Sequence, residues 1–120
     1  MCTGNTLTAG ATHSNASVGI ILSNNSSLNT ISSNTAVSNL GSGITLSSSS
    51  RNSVIGNTSQ FNSNVGIFLL TASSNIVRNN FVSSDGQAGI KIQDGDTNAV
   101  AQNEVTANDT GVHVMGLSRN

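Results

Sequence analysis

The chain has 120 residues and a formal net charge of −1, and Asn, Ser and Thr account for 51 of them against 8% charged and 2% aromatic side chains. Its basic residues, Arg51, Arg78, Lys91 and Arg119, are scattered, which excludes nucleic acid as a partner because phosphate binding needs clustered Lys or Arg. A single cysteine, Cys2, excludes an internal disulfide framework, and no apolar run approaches the roughly 18 residues of a membrane span.

From the N-terminus onward, short aliphatic segments alternate with polar bends. Asn5 and Leu7 come first, then Asn15 and the strand Gly19-Ile20-Ile21-Leu22. Asn29, Ile31, Asn34, Ala36 and Asn39 lead into Gly43-Ile44-Thr45-Leu46. Asn52, Val54, Asn57, Ser59 and Asn62 lead into Gly66-Ile67-Phe68-Leu69. Asn75, Val77, Asn80, Val82 and Asp85 lead into Gly89-Ile90-Lys91-Ile92. Asn98, Val100, Asn103, Val105 and Asn108 lead into Gly111-Val112-His113-Val114, and the chain closes on Asn120. Along Asn5, Asn29, Asn52, Asn75, Asn98 and Asn120 the intervals are 24, 23, 23, 23 and 22, the signature of a repeat architecture. One extra residue falls between Gly19 and Asn29, and one is missing between Asn98 and Gly111.

Three short strands in each repeat leave no room for a helix, and Asn, Ser, Thr and Gly disfavour helix interiors in any case. The spacing therefore predicts an all-β chain: a single-stranded parallel β-helix of about five coils of 22–24 residues, one domain over residues 1–120. Equivalent residues would stack at roughly 4.8 Å. Alternation turns Ile20, Leu22 and their equivalents inward, together with the columns Leu7, Ile31, Val54, Val77, Val100 and Ala36, Ser59, Val82, Val105. Asn29, Asn52, Asn75 and Asn98 form one structural ladder, and Asn34, Asn57, Asn80 and Asn103 a second. The same residues are expected to take the left-handed angles of the bends. The glycines are expected to allow a tight entry into the strand that follows. No capping helix is visible at either end, so the expectation is a fragment of a longer solenoid, with self-association through uncapped ends as the other outcome.

The run Gly-Ile-x-Leu followed by Asn-x-Val-x-x-Asn resembles the right-handed parallel β-helix repeats of the pectin-lyase-like superfamily. It is most similar to the NosD-like carbohydrate-binding and sugar-hydrolase repeats, best over residues 42–64 and 75–89. The resemblance implies the right hand, a groove along an outward strand face, and an extracellular, periplasmic or surface location. It does not select an activity, because such folds serve lyases, hydrolases, epimerases, viral spikes and inert stalks alike.

The outward position of the Gly-Ile-x-Leu strands reads Ile21, Thr45, Phe68, Lys91, His113. Phe68, Lys91 and His113 on successive coils form the candidate carbohydrate-binding set, an aromatic face beside two groups able to meet an acidic sugar. No catalytic residue is assigned, since Asp85, Glu104 and Asp109 give no pair of carboxyls for glycoside cleavage. Asp94-Gly95-Asp96 reads as a turn; it could begin a Ca²⁺ site only with further oxygen ligands. The resemblance raises copper, but His113 with Met115 is a weak donor set, so no metal or other cofactor is expected. The sequence thus favours a non-catalytic structural or polysaccharide-contacting module of a larger secreted or surface protein. Part of an enzyme acting on acidic polysaccharide, and a self-assembling fibre, are the alternatives.

Overall fold

The computed structural model describes residues 1–116 and 119–120, and its regular structure among them is fifteen β-strands. Each coil contributes one strand to each of three parallel five-stranded sheets. The first sheet holds β1 (Thr6–Thr8), β4 (Thr30–Ser32), β7 (Ser53–Ile55), β10 (Ile76–Arg78) and β13 (Ala99–Ala101). The second holds β2 (Ala11–His13), β5 (Thr35–Val37), β8 (Thr58–Gln60), β11 (Phe81–Ser83) and β14 (Glu104–Thr106). The third holds β3 (Ile20–Leu22), β6 (Ile44–Ser47), β9 (Ile67–Leu70), β12 (Ala88–Gln93) and β15 (Thr110–Met115). The sequence columns become spatial columns: Leu7 pairs with Ile31, Ile31 with Val54, Val54 with Val77 and Val77 with Val100.

The bore is filled by Ile31, Val54 and Val77 from the first sheet, Ala36 and Val82 from the second, and Ile44, Leu46, Ile67, Leu69, Ile90 and Ile92 from the third, all buried. Burying each larger aliphatic side chain contributes about 1.5–3 kcal/mol. Ser59 occupies a core position in the same column as Ala36 and Val82. It is accommodated because its hydroxyl donates to the Gly66 carbonyl at 3.0 Å and accepts from Asn62 Nδ2 at 3.0 Å. The terminal coils have a neighbour on one side only. Leu7 is therefore 46% exposed and Val112 and Val114 are 50% and 48% exposed, although all three occupy inward columns.

The ladders run through the interior. Asn57 shows the unit: its Oδ1 accepts from both the backbone N–H and Nδ2 of Asn34 (2.9 and 3.1 Å). Its own Nδ2 donates to Asn80 Oδ1 (3.0 Å) and to the Ile31 carbonyl (2.9 Å). Both lone pairs and both amide protons are used, which is what burial of an amide requires. The same arrangement links Asn29, Asn52, Asn75 and Asn98. A third ladder runs through Asn15, Asn39, Asn62, Asp85 and Asn108.

The left-handed backbone angle falls one residue earlier than expected. At the bends of the inner coils it is carried by the residue before each rung: Leu28, Ser33 and Ser38, then Arg51, Gly56 and Phe61, then Ser74, Asn79 and Ser84, with φ between 53° and 64°. That residue turns the chain and the following Asn points inward. The recurring glycines are also explained differently. Gly43 and Gly66 have no left-handed φ, but a Cβ at Gly66 would lie 2.3 Å from Val82 Cγ1 and 2.6 Å from the Gly89 carbonyl oxygen. Crowding, rather than backbone angle, selects glycine there. The extra residue of the first coil is absorbed by two consecutive left-handed residues, Asn24 and Asn25.

Candidate functional site

The third sheet sets one outward residue of each coil beside its equivalents. Register pairs Ile21 with Thr45, Thr45 with Phe68, Phe68 with Lys91 and Lys91 with His113. The column predicted from spacing is therefore present, and it brings Phe68, Lys91 and His113 together. Lys91 Nζ stands over the Phe68 ring, 5.4 Å from its centroid, a cation–π contact that fixes the ammonium on the sheet face. Phe68 and Lys91 are half-buried and His113 is exposed. Thr45 departs from the outward reading: it is buried, with its hydroxyl lacking a partner, because Ile21 and Phe68 flank it.

On the far side of Lys91 from Phe68 lies an open groove of about 260 Å³ lined by Gln87, Ala88, Lys91, Asp109, Thr110 and His113. Its origin is the missing residue of the last repeat. Asp85 is followed by Gly89 four positions on, whereas Asn108 is followed by Gly111 after only three. The bend at Asn108 is thus one residue shorter than the one stacked on it. Thr110 N–H bonds to the Gln87 carbonyl at 3.0 Å, so the two bends stay joined. The groove brings a carboxylate, Asp109, to the Lys91 and His113 side chains. Sequence reasoning treated Asp109 as isolated and did not single out Gln87 or Thr110. The signal was available in the one-residue deletion beside Asn108.

The arrangement offers cationic and neutral hydrogen-bond donors, one carboxylate, and an aromatic face next to them. Chemically, such a surface can donate charge-assisted hydrogen bonds to anionic oxygens and offer a ring face for stacking. Asp94 and Asp96 lie outside the strands in the bend after β12, as the turn reading expects. Asp96 Oδ1 accepts from the backbone N–H groups of Thr97 (2.9 Å) and Arg119 (2.7 Å), a structural role. Among the described residues no three His, Cys, Asp or Glu side chains converge as a cation site. The soft donors are dispersed. His113 and Met115 share one face of β15, His13 lies on β2, and Cys2 Sγ contacts Ser26 Oγ at 3.3 Å in the first coils. Among the described residues no helix is long and apolar enough to cross a membrane.

A family profile described as periplasmic copper-binding protein (NosD) matches residues 1–120. No curated protein matches the chain. Among solved structures, the periplasmic alginate epimerase AlgG, as its T265N T268M double mutant, is 27% identical with a TM-score of 0.77, over 84% of this chain and 25% of its own. The AlgG T265N mutant is 17% identical with a TM-score of 0.67, over 98% of this chain and 36% of its own. The A-module of the mannuronan C-5 epimerase AlgE4 from Azotobacter vinelandii is 16% identical with a TM-score of 0.60, over 87% and 36%. The chain thus spans about a quarter to a third of the structures it resembles.

Proposed function

We propose that this chain, which belongs to the NosD family, is a β-helix module that contacts acidic polysaccharide along the outer face of its third sheet, in the periplasm or outside the cell. The observation that carries the reading is Lys91 poised over Phe68 at 5.4 Å, next to His113 and at the edge of the groove. A sugar ring would rest on the Phe68 side, while Lys91 and His113 meet its carboxylate. Resemblance to two epimerases whose names specify alginate and mannuronan supports a polysaccharide as the ligand. The periplasmic descriptions of the family and of AlgG support the location. The copper named in the family description does not fit the donor set of the described residues, where His113 and Met115 are the one soft-donor pair on a shared strand face and no three His, Cys, Asp or Glu side chains converge.

Calorimetric titration with alginate and pectate oligomers tests the reading. Binding is expected, and Phe68→Ala and Lys91→Ala are each expected to weaken it about tenfold, the loss of a stacking contact or of a charge-assisted hydrogen bond. Absence of binding to either polymer, or binding untouched by both substitutions, would overturn it.

A second reading, catalysis on the same polymers, draws on the groove, where Asp109 joins Lys91 and His113 as groups able to move a proton. NMR of alginate after incubation with the protein checks it: new guluronate signals are the expected product, and an unchanged polymer refutes it.

A further inference from the structure

The third ladder contains one acid among amides. Asp85 Oδ1 does what a rung must do, accepting the N–H and Nδ2 of Asn62 at 2.9 and 2.8 Å. Its backbone N–H donates to Asn108 Oδ1 at 2.8 Å. Its second oxygen, Oδ2, is buried and has no partner. That oxygen stands where the other rungs hold their NH₂. A Cβ on Gly66 would meet Asp85 Oδ2 at 2.5 Å, just as one on Gly43 would meet Asn62 Nδ2 at 2.9 Å and one on Gly89 would meet Asn108 Nδ2 at 2.8 Å. In this fold that atom is a donor. Asn62 Nδ2 gives one proton to the Oδ1 of the next rung and shares the other between Ser59 Oγ and the carbonyl of Ala36, twenty-six residues back. The equivalent acceptors for residue 85 are Asn108 Oδ1 and the Ser59 carbonyl. A carboxylate there would set oxygen against oxygen, whereas a carboxylic acid has an O–H to donate.

We propose that Asp85 is a protonated rung, its acid hydroxyl standing in for the amide NH₂, and that its ionisation loosens the bend whose Gln87 and Ala88 form one wall of the groove. Asn62 donates to its carboxyl, Gly66 lies against Oδ2 and Asn108 accepts its backbone N–H, all three uncharged. β8 and β11 carry no ionisable side chain. Glu104 on β14 faces outward, and Lys91, His113 and Asp109 line the outer groove. Burial raises the carboxyl above its ordinary 3.8, outweighing the bonds from Asn62 that lower it. The sign follows. A raised folded value means the stabilisation is complete below pH 3.8 and is lost as pH climbs through the folded value. The inference concerns the wall itself and stands whether or not the groove binds saccharide.

Urea unfolding of the parent and Asp85→Asn from pH 3 to pH 8 tests it, with intact mass checked because an amide before Gly86 is open to hydrolysis. Relative to the variant, the parent's unfolding constant is expected to be flat below the unfolded value. It should then climb about tenfold per pH unit until the folded acid has titrated. Hydrogen exchange supplies a second readout. The amides of Gly86, Gln87 and Thr110, which bond to Asn62, Asn64 and Gln87, should lose protection over the same pH range in the parent and keep it in the variant. The amide of Ala99, bonded to Asn75 in the first sheet, should behave alike in both proteins. Parallel stability curves, or equal protection of the three groove amides, would overturn the proposal.

Discussion

Asn57→Ala removes four hydrogen bonds from the middle of the second ladder. Asn34 loses the acceptor of its backbone N–H (2.9 Å) and one of the two acceptors of its Nδ2, which keeps the Leu7 carbonyl at 3.0 Å. The Ile31 carbonyl loses a donor at 2.9 Å, and Asn80 Oδ1 loses one of two, keeping the Asn57 N–H at 2.9 Å. A buried N–H stripped of its partner costs about 1–3 kcal/mol, and each of the three other bonds contributes about 1 kcal/mol, so the expected loss is about 4–6 kcal/mol. Against a total stability of about 5–15 kcal/mol for a domain, that is a large share. Asn103→Ala is the control. Its Oδ1 accepts from the same two Asn80 groups and its Nδ2 donates to Val77, but the residue is half-buried in the last coil, where water can replace it. About 1–2 kcal/mol is expected there. Urea titrations followed by far-ultraviolet circular dichroism give both values. An internal loss below about 1 kcal/mol, or equal losses for the two variants, would refute the account of the ladder as the interior's polar framework.

The glycine column offers a paired measurement. Gly66→Ala drives a Cβ to 2.3 Å from Val82 Cγ1 and should cost about 2–3 kcal/mol by overpacking, whereas Gly111→Ala meets nothing within 4 Å and should cost under about 1 kcal/mol. Thermal unfolding of the two variants checks the contrast, which disappears if glycine is needed for backbone freedom instead. Thr71 is exposed and holds φ at 50°, an unfavourable angle for a β-branched residue, so Thr71→Gly should raise stability by about 0.5–1 kcal/mol. A lower melting temperature for that variant would show that the threonine makes a contact worth more than the strain it bears.

Much of the architecture is legible in the sequence because stacking turns a period directly into a contact. Asn52 meets Asn75, and Val54 meets Val77, because 23 residues make one coil. The left-handed bend positions were illegible for the opposite reason. They place a side chain in solvent, where nothing selects its type, so Leu28, Arg51 and Ser74 share one conformation without sharing any chemistry. Phe68, Lys91 and His113 were legible as a column since register alone defines it. The groove was not, since it depends on how two bends of unequal length sit against each other. Asp85 reads in sequence as a harmless variation on asparagine. Only the position of Oδ2 shows that one atom of the exchange has no partner.

Where one amide rung bonds to the next, the donation runs in one direction, from an earlier coil to a later one: Asn29 to Asn52, Asn34 to Asn57, Asn39 to Asn62. The amide dipoles within each column therefore add, as peptide dipoles do in an α-helix, with the positive pole toward the last coil. The strands on either side contribute little, because sheets carry only small net dipoles. A long anion lying across the fourth and fifth coils would thus feel an attraction written into the interior of the solenoid as well as the charges on its surface.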